Sequence, residues 1–404
     1  MLLRALERLA GGALAVLLGA FALILCAIIY QGAAALVPPP VLQVAIDGGE
    51  KITGLLLKDS PSQVELLLEI RAAKPVWRRI DRSQILHRSE PADACLLSAS
   101  DGRLRVQASC RSDEPGWSVS YPNAGGMLGL QRWSKAISDF LLAPVRPDGQ
   151  GGIGSALVST FVLVLVMTLL VVPFGIGVAL YLAEYAADTK VTRALRLTLA
   201  NLAAVPPVVF GLFGLGLFVH VFGRQLDQWL YAERLPSPTF ATGGLLWASL
   251  VLALLTLPVV VVACEQGFRR VPQRLREASL ALGATQTETV LRVLLPAARP
   301  ALLTALILAV ARASAEVAPL LLVGAVRYAA QLPISSEAPF VHLERPFMHL
   351  GYRVLDLATS SAGGQYALQQ AFACALVLLL LVLGLNGAAI AARFRLRARY
   401  RDLS

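Results

Sequence analysis

Apolar positions in this chain fall into long unbroken runs rather than narrow stripes. Five runs hold no Asp, Glu, Lys or Arg: 9–37, 155–183, 197–223, 235–264 and 357–392. A sixth, 300–326, is as apolar but carries Arg312 and Glu316. A helix needs roughly 20 apolar residues to cross a bilayer, so the pattern predicts six transmembrane helices. The block 37–150 reads differently. "VPPP" at 37–40 ends the first helix, because proline lacks an N–H and restricts the residue before it. "LQVAID", "QVELLLEI" and "CLLSASDGRLRVQASC" then alternate as strands do. Asp101-Gly102 between two such stretches predicts a hairpin turn. In "GLQRWSKAISDFLLAPV" at 129–145, Leu130, Trp133, Ile137, Phe140 and Leu141 recur at helical spacing and predict a helix leading back to the membrane. The expected fold is an all-α polytopic membrane protein of six transmembrane helices, with a small β-rich extracytoplasmic domain between helices 1 and 2.

Composition agrees: 56% of the 404 residues are hydrophobic and 15% charged, against about 25% charged in soluble domains. The first run follows Arg4 and Arg8, as a signal peptide would. Signal cores span about 7–15 residues and this one is longer, so it is expected to stay as an anchor. The net charge of +10 is largely a topology signal. With a cytoplasmic N-terminus, the inside segments 1–9, 183–199, 265–299 and 393–404 hold 16 basic residues, against 5 in the short outside segments 223–241 and 326–365. Basic residues collect on the cytoplasmic side, so both termini are expected there. "RFRLRARYR" at 393–401 is then a basic stop after the last crossing rather than a nucleic-acid patch.

Three groups of residues are candidates for function. The stretch "GFRRVPQRLREASLALGATQTETVLRVLLP" predicts two short helices joined near Gly283, where glycine ends a helix at little cost. Leu275, Ala278, Ser279 and Leu282 share a face of the first; Val290, Leu291, Leu294 and Leu295 line the second; Pro296 is expected to stop it before the next crossing. Such a pair is a docking element for another protein or a helix lying on lipid headgroups. Arg312 and Glu316, four apart, are expected on one face of a helix. A mid-helix charge costs about 2.5–3.5 kcal/mol on insertion scales. The pair is either a structural bridge or part of an anion pathway, in which a guanidinium fork suits phosphate oxygens. Cys95 and Cys110 flank the hairpin, and an extracytoplasmic setting permits a disulfide; pairing centred on Asp101-Gly102 sets Cys95 opposite position 108. Cys26, Cys264 and Cys374 lie in or beside apolar runs and read as packing thiols. His87, His220, His342 and His349 lack metal-ligand spacing. No G-x-x-x-x-G-K-[ST] phosphate loop, nucleophile elbow or paired-carboxylate motif occurs.

Glu277-Ala278, Gly283 and Leu295-Pro296 resemble the "EAA" signature of ATP-binding-cassette (ABC) importer permeases. "VPFGIGVALYLAEYA", "NLAAVPPVVFGLFGLGLFV" and "ARASAEVAPLLLVGA" further resemble phosphate-importer permeases of the PstA type. The resemblance covers about 151–395. It departs from the family pattern at Ala315, Val317 and Pro207, where Gly, Thr and Ser are usual. It implies an anchor (1–36), a periplasmic domain (37–150), a type I permease core with five crossings (151–395), a coupling loop (265–299) and a basic cytoplasmic tail (396–404). Glu277, Ala278 and Gly283 would engage an ATP-binding subunit dimer, which carries ATP and Mg²⁺ so that this chain needs no cofactor and is not an enzyme. A second related permease, a periplasmic phosphate-binding protein and inner-membrane lipid complete the implied assembly, with no nucleic acid. Importers of another oxyanion, such as sulfate or molybdate, and a membrane-anchored sensor remain as alternatives.

Overall fold

The structure, a computed structural model, describes residues 2–36, 41–46, 50–59, 62–71, 74–91, 95–99, 104–107, 117–120, 126–145, 151–234, 236–336, 338–359 and 364–401. The chain divides into two compact units, 1–154 with 354–376 and 155–353 with 377–404.

In the first unit, α1 (Leu2–Ala35) leads into eight strands: β1 (Val41–Ile46), β2 (Lys51–Asp59), β3 (Gln63–Arg71), β4 (Lys74–Asp81), β5 (Ile85–Ser89), β6 (Cys95–Ala99), β7 (Leu104–Gln107) and β8 (Trp117–Ser120). They form one antiparallel sheet in the order β5-β1-β2-β3-β7-β6-β8, with β4 also paired to β3. Its core is Leu42, Val44, Ile52, Val64, Leu66 and Ile80. Val64 and Leu66 show the origin of this face: alternate residues of a strand point to one side, so "VEL" buries its two ends. The β6–β7 register sets Cys95 across from Gln107, one place short of the expected 108; the turn itself and Cys110 lie outside the described residues. The predicted return helix is α2 (Gly126–Leu142).

The second unit contains α3 (Gly154–Leu180), extended by a π-helical turn at Tyr181–Tyr185, then α4 (Lys190–Leu202) and α5 (Pro207–Phe213). A π-helical stretch, Gly214–Gly223, joins α5 to α6 (Arg224–Leu230). There follow α7 (Leu245–Arg269), α8 (Gln273–Ala281), α9 (Gln286–Thr289), α10 (Leu295–Ala315) and α11 (Leu320–Val323). The chain ends with α12 (Leu350–Thr359) and α13 (Gly364–Arg401). The core centres on α7, whose Trp247, Val251, Leu252, Leu255 and Val261 are buried. On α3, Phe161, Leu165 and Leu169 form an exposed apolar stripe at four-residue steps, the surface a lipid-facing helix needs.

Among the described residues five helices are long and apolar enough to cross a bilayer: Gly154–Tyr185, Pro207–Leu230, Leu245–Arg269, Gln286–Ala315 and Ala367–Ala388. The described part of α1 contributes a shorter apolar stretch, Gly19–Ala35. Near its end, a side chain on Gly32 would press within 2.8 Å of the Phe372 carbonyl oxygen, so α1 and α13 meet almost backbone to backbone there.

Three apolar runs are divided where the sequence pattern alone predicts continuity. The run from 197 breaks at 203–206 and its crossing begins at Pro207, which sits in the first turn of α5; there its missing N–H costs nothing. The run from 235 becomes helical only at Leu245, after Pro236, Pro238 and Gly243-Gly244. The crossing expected over 300–326 runs instead from Gln286 to Ala315. It ends at Ala315, where Glu316 turns extended, and Pro319 shortly beyond could not have continued the helix. Pro296 does not stop the preceding helix. A π-helical turn at Val290–Leu294 carries the chain into α10, with Pro296 in the first turn; the wider turn accommodates the missing donor.

Candidate functional site

The segment between α7 and α10 forms a bent hook. Pro272 precedes α8, and Gly283 closes it with φ +85°, a left-handed conformation that glycine adopts without penalty. Ala284 N–H donates to Ser279 O (3.2 Å) and Gly283 N–H to Leu280 O (2.9 Å), the bond pattern of a Schellman cap. Thr285 then opens α9 with a reciprocal capping box. Its hydroxyl accepts from Glu288 N–H (3.2 Å), and Glu288 Oε2 accepts from Thr285 N–H (3.0 Å). The sequence itself therefore dictates the bend, through one glycine and one Thr-x-x-Glu.

No residue of α8 is buried. Leu282 is 90% exposed, and Leu275, Leu280 and Ala278 are exposed as well. Glu277 is exposed, and its side chain makes no hydrogen bond or ion pair among the described residues. The second predicted face is split: Val290 and Leu294 are buried in the core, while Leu291 points outward. The helix continues into α10, so half of that face packs inward.

The hook's inner side is tied down by charges that sequence spacing does not reveal. Arg276 pairs with Glu184 in the π-helical turn after α3 at 2.9 Å, and its Nη2 donates to Phe268 O at 2.8 Å. Ser279 and Thr289 hydroxyls lie 2.9 Å apart. Beside them Glu265 accepts from Arg196 and Arg269, both at 2.9 Å, and Arg196 Nη2 reaches Leu182 O. α8 thus exposes Leu275, Ala278 and Leu280 among Gln273, Arg274 and Glu277, above an ionic footing. The available sequence signal was only that Glu184, Arg196 and Glu265 each border an apolar run.

Arg312 and Glu316 are brought together, though not on one helix face. α10 ends at Ala315, and Glu316 is extended (φ −82°, ψ 125°). Arg312 Nε stands 3.9 Å from Glu316 Oε1, and that buried nitrogen has no hydrogen-bond partner. The break that follows is tightly nested, since a Cβ on Gly211 of α5 would come within 2.7 Å of Pro319. The pair therefore sits at a fixed discontinuity, with one guanidinium donor unused.

Two further polar groups organise the loops at the other end of α7. Asp227 of α6 is buried and accepts from the N–H groups of Thr239 (3.0 Å), Phe240 (2.7 Å) and Ala241 (2.8 Å). It thereby shapes a loop that lies within the uncharged run 235–264. Ser335, His342 and Glu344 form a chain, 2.8 Å from Ser335 Oγ to His342 Nε2 and 3.0 Å from His342 Nδ1 to Glu344 Oε1. This chain staples a loop whose carbonyls at Leu343 and Arg345 accept from Leu246 and Leu245 at the start of α7. His349 is 1% exposed; its Nδ1 accepts from Gly351 N–H, and burial pulls its pKa down to about 4. His87 and His220 join neither group. Among the described residues, no group of three or more His, Cys, Asp or Glu is placed to hold a metal. Cys264 and Cys374 are buried and Cys26 is exposed.

The described helices give an apolar bundle with an exposed hook between α7 and α10 and an Arg312–Glu316 pair at the break after α10. The profile of the binding-protein-dependent transport system inner membrane component family matches residues 172–400, and the chain belongs to that family. It is a multi-pass membrane protein. Similar proteins include the probable ABC transporter permease protein YqgI of Bacillus subtilis (strain 168), 38% identical over 42% of this chain and 52% of its own. Phosphate transport system permease protein PstA 1 of Mycobacterium tuberculosis (strain CDC 1551 / Oshkosh) is 37% identical over 42% of this chain and 50% of its own. PstA of Haemophilus influenzae (strain ATCC 51907 / DSM 11121 / KW20 / Rd) is 33% identical over 46% and 60%. The chain spans about half the length of the first of these relatives.

Proposed function

We propose that the chain is the permease subunit of an ABC importer for inorganic phosphate, with a type I core of five crossings and α1 as a sixth. The observation that carries this reading is the α8–Gly283 hook: an outward-facing bend that leaves Leu275, Leu280 and Leu282 exposed. On this reading Glu277, Ala278 and Gly283 dock into an ATP-binding subunit, the hook lies in the cytoplasm with both termini, and the β-sheet domain lies outside. A second related permease completes the pathway, and an external binding protein delivers the anion. Similarity to permeases named for phosphate transport supports the choice of substrate.

The chain's own residues supply coupling and charge. Closure of the ATP-binding dimer pushes the hook. The ionic footing through Arg276 and Glu184 passes that push to α3 and α7 rather than letting α8 swing alone, and the bundle alternates by rigid-body motion. Arg312 holds the anion in transit. At 3.9 Å its attraction to Glu316 is worth about 4 kcal/mol at an effective dielectric of ~20, and an arriving phosphate competes for the same guanidinium. No bond is made or broken on this chain; ATP and Mg²⁺ act on the partner.

Reconstitution with the ATP-binding subunit, second permease and binding protein, followed by radiolabelled phosphate uptake, tests the reading. Uptake is expected to need ATP, to resist equimolar sulfate, and to vanish in Arg312→Leu with assembly intact. Full uptake by Arg312→Leu overturns the pathway role, and complete block by equimolar sulfate overturns the substrate.

A further inference from the structure

Between the last turns of α7 and the first half of α10 lies a cavity of about 400 Å³, lined by Gln266, Gly267 and Arg270 from one helix and Ala301, Thr304 and Leu308 from the other, among others. Its charge is one-sided. Arg270 lines it, no carboxylate does, and among the described residues that guanidinium has no ion-pair partner. The nearby acid, Glu265, is already held by Arg196 and Arg269. The room exists because the lining is small: a Cβ on Gly267 would lie 2.4 Å from that of Ala301, so the helices touch there and part around it. Gln266 and Thr304 add polar groups, although the Thr304 hydroxyl donates to Pro300 O at 2.8 Å and so offers an acceptor-rich rather than a free O–H. The donors left for a ligand are those of Arg270 and Gln266, which suits an oxyanion.

Position along α10 links this cavity to the site above it. Ala301, Thr304, Leu308 and Arg312 follow at three- and four-residue steps and share one face of the helix. Thr304 stands about 12 Å below Arg312 at 1.5 Å per residue. We propose that the α7–α10 cavity is a second oxyanion site, with Arg270 as its cation, that receives a phosphoryl-type anion from the Arg312 level at the inner end of the path. The proposal rests on the phosphate-import reading for its ligand. The same chemistry is carried by free phosphate and by the headgroup of an anionic lipid.

The test uses the full assembly in nanodiscs, with the five native cysteines replaced by alanine and Thr304→Cys as the reporter. Labelling by a small neutral maleimide is followed with and without inorganic phosphate, in neutral and in anionic lipid. Phosphate is expected to slow labelling several-fold in neutral lipid. Arg270→Gln is expected to abolish that protection, Arg270→Lys to keep part of it, and neither to alter labelling without phosphate. Protection that follows anionic lipid instead assigns the site to a headgroup. No protection by either anion, or protection unchanged in Arg270→Gln, overturns the site. Phosphate uptake by the same preparation is measured alongside: uptake without protection sinks the cavity proposal alone, whereas ATP-dependent uptake of no anion sinks the import reading.

Discussion

Replacing Gly283 with alanine isolates the geometry of the hook from its chemistry. A Cβ at this position meets nothing within 4 Å, so no clash results. What remains is the φ of +85°, which costs an L-residue about 1 kcal/mol relative to glycine. An undocked hook can relax that strain by unwinding its cap, since none of α8 is buried. A docked hook has to hold the bend, so the cost falls on docking. At 1.4 kcal/mol per tenfold, Gly283→Ala is expected to weaken binding of the ATP-binding subunit about fivefold. Thermal unfolding of the permease alone is expected to move by no more than a degree or two, at about 2–4 °C per kcal/mol. Gly283→Asn is expected to recover most of the affinity, because asparagine tolerates the left-handed region. Affinity measured in nanodiscs, set beside thermal unfolding, checks all three. If Gly283→Ala binds as tightly as the parent, or Asn falls as far as Ala, the bend is not what the partner reads.

Other perturbations test the groups that hold the frame. Arg276→Met leaves Glu184 half-buried without its partner and is expected to cost about 3 kcal/mol in unfolding, with Glu184→Gln in the same chain recovering part; an unshifted unfolding midpoint would show the footing to be idle. Asp227→Ala strips three backbone N–H groups of their acceptor and is expected to open the 236–244 loop to protease, whereas Asp227→Asn opens it less. His349 lies outside the five spans, and its folded pKa of about 4 is below the ordinary 6.5. Its neutral burial therefore leaves stability intact above pH 6.5 and drains it as pH falls towards 4, by up to about 3 kcal/mol. The drop in unfolding temperature between pH 7 and pH 4.5 is expected to be smaller in His349→Gln, and an identical drop would refute the assignment.

Much of this architecture is written locally. Five of the six expected crossings follow from apolar run length among the described residues, the strands from alternation around Val64 and Leu66, and the hook's bend from Gly283 with Thr285 and Glu288. Where runs end was less legible, because an apolar residue reads the same inside a helix or in a break beside one. The decisive signals were prolines whose effect depends on their place. Pro319 lies just past the end of α10, whereas Pro296 is absorbed by a π-helical turn and Pro300 lies inside the helix. Spacing places Glu316 on the helix face of Arg312, yet the chain leaves the helix one residue earlier. The pairs Arg276–Glu184 and Arg196–Glu265 join residues 92 and 69 positions apart. Local pattern holds no record of such contacts, which arise only when the bundle closes.

Leu282 offers the most direct measurement, because it is 90% exposed at the tip of the hook. With Leu282→Cys as the only cysteine, labelling by a water-soluble maleimide is compared for the permease alone and after assembly with the ATP-binding subunit. The account predicts fast labelling alone and near-complete protection in the complex. Equal labelling in both, in a complex that still hydrolyses ATP and takes up phosphate, would contradict it.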